Sequence, residues 1–329
     1  MLETIATKAV EQNEAVLTDL AKKIWDCPET AFNEVKACEW TAQVLRDAGF
    51  QVEVGCANLP TAIRAAWGKG HPVIGFLGEY DALPGLSQKI CTQKDPVTPG
   101  APGQGCGHNL LGVACVGGAL GMKAHLEETG KEGTVVFYGC PAEEALTGKT
   151  FMARGGAFKE LDVALAWHGG SMNGVNLGTS NGLNSAIFHF HGVTAHAGGD
   201  PHNGRSALDA VELMNVGANY LREHVTSDVR IHYVYKEGGT APNIVPDKAS
   251  VWYYVRAMSR QAIEDTYARL VKVAEGAAHM TETKLEIEFM GGCYQTLNNG
   301  VLVDLIHDCM VETPQAVSYT HLRAHETGR

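Results

Sequence analysis

The stretch Pro72-Val-Ile-Gly-Phe-Leu-Gly-Glu-Tyr-Asp-Ala-Leu-Pro84 joins a short apolar run, 72–77, to a polar segment. Runs of the same kind occur at 134–138 and 162–166. Such runs are typical of strands that are buried on both faces of a parallel sheet. They therefore predict a parallel sheet in the first half of the chain.

Helical spacing alternates with these runs. Apolar residues recur every three or four positions over 4–26 and 35–48, and the segment from Leu110 to Glu128 is also helical in character. Because helices that alternate with buried strands pack as layers, we predict a layered α/β domain.

From about Asn184 the order of elements changes to βαββαβ, which predicts an inserted ferredoxin-like α+β unit. Its predicted elements are a strand at 185–191, a helix at 206–225, strands at 229–235 and 249–256, a helix at 260–280 and a strand at 284–289. The predicted domains are residues 1–184 for the first part of the α/β domain, 185–299 for the insertion and 300–316 for the return of the first domain.

Composition excludes several classes of protein. The 329 residues carry 26 basic and 37 acidic side chains, for a net charge of −11, which disfavours a nucleic-acid or anionic-lipid partner. No apolar run is long enough to span a membrane, and the acidic N-terminus does not resemble a signal peptide, so we expect a cytoplasmic protein. The nine scattered cysteines are expected to be reduced thiols.

The last segment, Val317-Ser-Tyr-Thr-His-Leu-Arg-Ala-His-Glu-Thr-Gly-Arg329, has no apolar periodicity and resembles the in-frame translation of a sequencing adapter. We expect residues 317–329 to be non-native. On this hypothesis His321 and His325 are not candidate ligands, and the natural protein is truncated near Gln315.

Candidate site residues follow the predicted strands. In open α/β sheets, ligands bind beyond the carboxyl ends of the strands, so the polar residues at those ends are the candidates. These are Gly78-Glu-Tyr-Asp81, Gly139-Cys-Pro-Ala-Glu-Glu144 and Trp167-His168, together with the loop Gly103-Gln-Gly-Cys-Gly-His-Asn109 that opens the next helix.

Cys106 and His108 lie in a glycine-flanked loop that lets both side chains face one point. Thiolate and imidazole suit a divalent ion such as zinc, and the carboxylates of Glu144 and Asp81 are candidates to complete or support the site. His168 becomes a candidate ligand through its position at the same sheet edge, and a satisfied rim histidine is the alternative.

The adjacent Glu143 and Glu144 point in different directions at a strand end, so one can bind a cation while the other takes a proton from water. The alternative is a pair of solvated glutamates at a helix start.

Two segments resemble nucleotide-binding motifs but lack a required residue. Thr147-Gly-Lys-Thr150 lacks the glycine that a phosphate-binding loop needs at position 143, and the glycines at 103–121 do not form GxGxxG.

Taken together, the ordered motifs resemble the metal-dependent amidohydrolases of the aminoacylase and glutamate-carboxypeptidase superfamily, in the indoleacetyl-amino-acid hydrolase branch. The resemblance runs from about Ile24 to Met310. The motifs that carry it are Gly78-Glu-Tyr-Asp-Ala-Leu-Pro84, Gly105-Cys-Gly-His-Asn-Leu-Leu-Gly112, Pro141-Ala-Glu-Glu144 and Ala166-Trp-His168.

This resemblance implies an α/β/α zinc-peptidase-like catalytic domain with an inserted dimerisation or lid domain. It implies two divalent ions, zinc or manganese, and hydrolysis of the amide that joins an acyl or aroyl group to an amino acid. By resemblance Glu143 is the general base, Asp81 supports the metal site, and the ligands are Cys106, His108, Glu144 and His168.

In the inserted unit the resemblance implies that His196 stabilises the oxyanion and that Asn243 contacts substrate. Arg256 is placed to receive a substrate carboxylate. The alternatives are a turn residue for Asn243 and a surface ion pair for Arg256. The resemblance also implies a homodimer through the inserted unit, and it is compatible with a partner subunit.

Two other functions remain open at this point. One is a non-catalytic metal- or peptide-binding protein that keeps the fold, and the other is a dipeptidase. Members of the family supply a further histidine ligand from beyond the matched region. We therefore expect this chain to bind at least one metal ion weakly and to have little or no activity.

Overall fold

The computed structural model describes residues 4–170 and 173–313. The chain divides into two compact units. The first comprises residues up to Val175 together with those from Asp304 onward, and the second spans Asn176–Val303. The tail that we expect to be non-native, 317–329, lies outside the described residues, as do 314–316 of the predicted return segment.

The first unit contains a five-stranded sheet in the order β1-β2-β4-β3-β5. Its strands are β1 (Gln51–Val54), β2 (Ile63–Lys69), β3 (Val73–Glu79), β4 (Gly133–Cys140) and β5 (Val163–Leu165). The helices of this part are α1 (Ile5–Gln12), α2 (Glu14–Asp26), α3 (Val35–Asp47), α4 (His108–Thr129) and α5 (Gly148–Arg154). The predicted α/β fold is therefore confirmed, although α1 and α2 replace one expected helix and meet at Asn13.

The sheet is mixed rather than wholly parallel, because β1 and β2 are antiparallel to their neighbours. Strand β2 is not among the predicted strands, since it alternates buried Ile63 and Ala65 with the half-buried Arg64 and is not continuously apolar. Arg64 donates two hydrogen bonds of 2.7 Å each to the Glu160 carboxylate. Strand β5 lies at an edge of the sheet and is partly exposed, so the expectation that it is buried on both faces was wrong.

Helix α4 packs closely on β3 because glycines line their contact. A methyl group at Gly112 would lie 2.3 Å from the backbone oxygen of Glu79, and one at Gly78 would lie 3.2 Å from the Cα atom of Gly112. This close approach brings the start of α4 beside the end of β3, where polar residues of both elements meet.

Replacing Gly112 with Ala is expected to lower the free energy of unfolding by about 1–3 kcal/mol, because the backbone of β3 must shift to admit the methyl group. Gly117 on the same helix is the matched control, since a methyl group there would lie 3.5 Å from Leu17. Gly117→Ala should raise stability by about 0.5–1 kcal/mol. Urea unfolding measures both, and a Gly112→Ala protein as stable as Gly117→Ala would contradict the packing argument.

The second unit is the predicted ferredoxin-like βαββαβ arrangement. Its antiparallel sheet has the order β7-β8-β6-β9, and helices α6 and α7 pack with it around one apolar core. The elements are β6 (Gly182–His191), α6 (Ala207–Leu221), β7 (Arg230–Glu237), β8 (Lys248–Ala257), α7 (Arg260–Thr281) and β9 (Lys284–Cys293). A last helix, α8 (Gly300–Glu312), follows.

None of the helices within the described ranges is long and apolar enough to cross a membrane. The nine cysteines are all free thiols, as predicted.

Candidate metal centre

Four segments of the first unit meet at the carboxyl ends of its strands. Strand β3 ends at Glu79 and is followed by Asp81, and β4 is followed by Glu143 and Glu144. The turn before α4 carries Cys106, and α4 begins at His108. Gly107 between them has φ +74°, a conformation that favours glycine, and His168 follows β5.

The side chains of Cys106, His108 and His168 converge, although the chain separates Cys106 from His168 by 62 positions. The Cys106 sulfur lies 3.3 Å from Nε2 of His168. One ligand atom from each of the three residues lies within 4.8 Å of the others. A soft thiolate and two imidazoles are a donor set that suits zinc and similar divalent ions.

Both histidines direct Nε2 into this cluster because their other ring nitrogens are bound elsewhere. Nδ1 of His108 lies 3.0 Å from a carboxylate oxygen of Asp81, and Nδ1 of His168 lies 2.8 Å from the backbone oxygen of Gly169. With protons on Nδ1, each Nε2 offers a lone pair. Metal-binding histidines are commonly oriented in this way.

A second group of donors shares His108. Nε2 of His108 lies 3.2 Å from Glu79, 3.7 Å from Glu143 and 4.0 Å from Glu144. The buried atoms Oε2 of Glu79, Nε2 of His108 and Oε1 of Glu144 have no hydrogen-bond partner among the described residues. Because buried polar atoms are nearly always satisfied, three unsatisfied atoms beside one another fit a bound cation.

Asp81 ties two of these segments together. It is buried, and while one carboxylate oxygen contacts His108, the other accepts a hydrogen bond of 2.9 Å from the backbone N–H of Glu144. Asp81 therefore orients a candidate ligand and the loop of the candidate base at the same time.

Charge supports a site for more than one cation. The carboxylates of Glu79, Asp81, Glu143 and Glu144 and a Cys106 thiolate would carry five negative charges, and Lys149, which forms an ion pair with Glu79, contributes one positive charge. Burial, followed by the charge of Glu79, raises the pKa of Glu143. Two divalent ions would neutralise the remaining charge of the cluster.

No role in the site was predicted for Glu79 or for Lys149. Glu79, the last residue of β3, lies in the candidate segment Gly78-Glu-Tyr-Asp81, but no role was assigned to it from the sequence. Lys149 belongs to the segment that resembles part of a phosphate-binding loop. Its ammonium group instead contacts Glu79, a pairing between residues 70 positions apart that spacing alone does not indicate.

The remaining predicted residues lie in the second unit. His196 is exposed, and its Nδ1 accepts hydrogen bonds of 3.2 and 3.0 Å from the backbone N–H groups of Gly198 and Gly199. Neutral His196 therefore carries its proton on Nε2, where it can donate. Asn243 is also exposed, and its backbone oxygen accepts from the N–H of Ala197 at 3.0 Å, beside His196.

Arg256, near the end of β8, stacks with its guanidinium 5.3 Å from the ring centre of Tyr254. Its buried Nε finds no hydrogen-bond partner in residues 4–170 and 173–313. Within the part of the chain that the structure describes, no carboxylate lies at ion-pair distance from Arg256. The surface ion pair considered as an alternative for Arg256 is therefore not observed in these residues.

Comparison with known sequences identifies relatives across both units. Residues 179–281 match the sequence profile of the M20 peptidase dimerisation domain. The chain is 46% identical over 305 residues to one subunit of the p-aminobenzoyl-glutamate hydrolase of Escherichia coli K12, covering 92% of this chain and 63% of that protein. It is 31% identical to the mouse Xaa-Arg dipeptidase, covering 88% of this chain and 66% of that protein.

Solved structures share the fold. An aminobenzoyl-glutamate utilization protein from Klebsiella pneumoniae superimposes with a TM-score of 0.74 at 20% identity, covering 94% of this chain and 83% of that one. A dinuclear metal-binding M20 peptidase from Bacillus subtilis gives a TM-score of 0.62 at 19% identity, covering 91% and 80%. Residues 179–281 therefore carry an M20 peptidase dimerisation domain, the likeness to a hydrolase subunit extends through both units, and the fold is shared with an M20 peptidase.

Proposed function

We propose that the protein is a metal-dependent hydrolase that cleaves the amide bond of N-acyl or N-aroyl amino acids. The observation that carries this proposal is the convergence of Cys106, His108 and His168 beside unsatisfied buried atoms, with Glu143 and Glu144 at 3.7 and 4.0 Å from Nε2 of His108. The chain spans 63% and 66% of the lengths of the two curated relatives, and the activity is accordingly a proposal for this chain.

Cys106, His108, His168 and Glu144 would hold the metal, and Asp81 would orient His108. Two divalent ions, zinc or manganese, agree with the charge of the cluster. When bound, such ions lower the pKa of water and polarise a carbonyl group. A soft thiolate ligand favours zinc, whereas the four surrounding carboxylates also suit manganese.

Glu143 is proposed as the general base that takes a proton from water and returns it to the leaving amine. Its raised pKa moves it towards the working range of a general base. His196 is proposed to donate from Nε2 to the oxyanion, and Arg256 to bind the substrate carboxylate. Asn243 is proposed as a further substrate contact beside His196.

The substrate is proposed to resemble p-aminobenzoyl-glutamate, because the relative with 46% identity is named for that compound. A dipeptidase is the second candidate, since the mouse relative at 31% identity is named for dipeptides ending in arginine. We further propose a dimer through the second unit, which matches a dimerisation domain, or assembly with a partner subunit.

A substrate panel tests the proposal. The chain is assayed as it stands and as a chimera extended by the part of the Escherichia coli relative beyond the aligned region. We expect the chimera to release the amine from N-aroyl glutamates in preference to Xaa-Arg dipeptides. A chimera that binds two divalent ions but hydrolyses neither class would contradict the proposed reaction.

Metal affinity is expected to fall as the pH falls. Burial, followed by the charge of Glu144, raises the pKa of Cys106 to about 12, so the thiol is protonated near neutral pH without a cation. Binding must release this proton, and affinity should therefore drop about tenfold per pH unit for each proton released. Competition with a chelator between about pH 6 and pH 8 measures the slope. A pH-independent affinity would argue against Cys106 as a ligand.

A further inference from the structure

We propose that Glu34 is a positioning residue that holds the loop of Glu143 and Glu144 in the conformation that the metal centre needs. This inference rests on the proposed function. Glu34 lies at the start of α3, 108 positions before Ala142 in the chain. Its connection to the site is therefore a product of the fold.

The Glu34 side chain is completely buried, and its carboxylate accepts three hydrogen bonds. One oxygen accepts from the backbone N–H of Phe32 at 2.9 Å and from that of Ala142 at 2.8 Å. The other oxygen accepts from the Thr61 hydroxyl at 2.9 Å. A buried carboxylate with three hydrogen-bond donors restrains the main chain that donates to it.

Both residues that donate a backbone N–H group to Glu34 have left-handed backbone conformations. Phe32 has φ +63° and Ala142 has φ +53°, in a region that side chains with a Cβ atom rarely adopt. Ala142 directly precedes Glu143. The hydrogen bond from Ala142 to Glu34 therefore stabilises an unfavourable turn immediately before the proposed general base.

The loop is fixed on its other side by Asp81, which accepts the backbone N–H of Glu144 at 2.9 Å. Glu143 thus lies between two main-chain anchors, both provided by buried carboxylates. If the anchor at Ala142 is lost, the turn can relax towards negative φ, and the carboxylates of Glu143 and Glu144 will move relative to His108. Small displacements of this kind weaken metal sites and slow catalysis strongly.

The test uses the full chain and cobalt(II) titration followed by absorbance, which reports affinity and ligand geometry without an activity assay. Glu34→Leu removes the acceptors and should weaken cobalt binding about 10- to 100-fold and change the ligand-field spectrum. Glu34→Gln retains an acceptor oxygen and should restore the spectrum. Thr61→Val removes only the hydroxyl bond to Glu34, and it should bind cobalt as the parent does.

A double variant separates positioning from stability. Ala142→Gly removes the cost of the left-handed turn at that position but leaves the Phe32 and Thr61 donors without Glu34, so Glu34→Leu with Ala142→Gly should have a higher thermal stability than Glu34→Leu alone. We expect the double variant to remain weak in cobalt binding. Recovery of parental affinity together with stability would overturn the positioning role, as would parental affinity and spectrum in Glu34→Leu. A parent chain that binds no cobalt would instead contradict the proposed function.

Discussion

Replacing Glu143 with Gln is expected to lower kcat for an N-aroyl glutamate about 10²- to 10⁴-fold, the range that a general base contributes. Gln has nearly the same shape but cannot take a proton from water. Glu143 lies 3.7 Å from Nε2 of His108, at the metal cluster, and its raised pKa suits proton transfer. Steady-state kinetics of the chimera measure kcat and KM, and KM should change little.

Glu144→Gln is the matched control, because the two glutamates are adjacent and have different proposed roles. Glu143→Gln should retain the bound metal, whereas Glu144→Gln should lose it along with activity. Metal analysis of the dialysed proteins distinguishes them. Hydrolysis that survives Glu143→Gln would remove Glu143 from its proposed role, and metal loss in that variant would make Glu143 a ligand instead.

Cys106→Ser is expected to weaken divalent-metal binding by more than about 100-fold, since even residues that only orient ligands are worth 10- to 100-fold. Serine keeps the size of the side chain but does not ionise to an anion comparable to the thiolate. The sulfur lies 3.3 Å from His168, so the change should also release the His168 ring from the cluster. Chelator competition with zinc measures the loss.

Cys91→Ser provides the control for replacing a cysteine, because Cys91 is an exposed free thiol outside both candidate clusters. Its zinc affinity should equal that of the parent. If Cys106→Ser also binds zinc as the parent does, the thiolate is not part of the centre, and the donor set must be reassigned to the carboxylates around His108.

Much of the fold was predictable because its signals are local. The apolar runs of β3 and β4 and the helical spacing of α4 mark elements that the structure places within a few residues of the prediction. Strand β2 was missed because Arg64 interrupts its apolar pattern, and the partner that makes Arg64 acceptable there is Glu160, 96 positions away. A pattern read over short windows does not contain that pairing.

In the candidate site, too, some residues were predictable from local sequence and others were not. Cys106, His108, Glu144 and His168 were selected because each follows a strand or opens a helix, and the structure brings their side chains together. The ion pair between Glu79 and Lys149 depends on which segments the sheet order makes neighbours. So does the bond from Glu34 to Ala142, since no spacing in the sequence indicates that a residue before α3 will contact the loop after β4.

Cobalt(II) titration of the unmodified chain tests the proposed centre. We predict saturable binding of at least one ion with a thiolate-to-cobalt charge-transfer band that disappears in Cys106→Ser, because the sulfur of Cys106 and the Nε2 atoms of His108 and His168 lie within 4.8 Å of one another. Binding without that band, or no saturable binding at all, would contradict the metal centre.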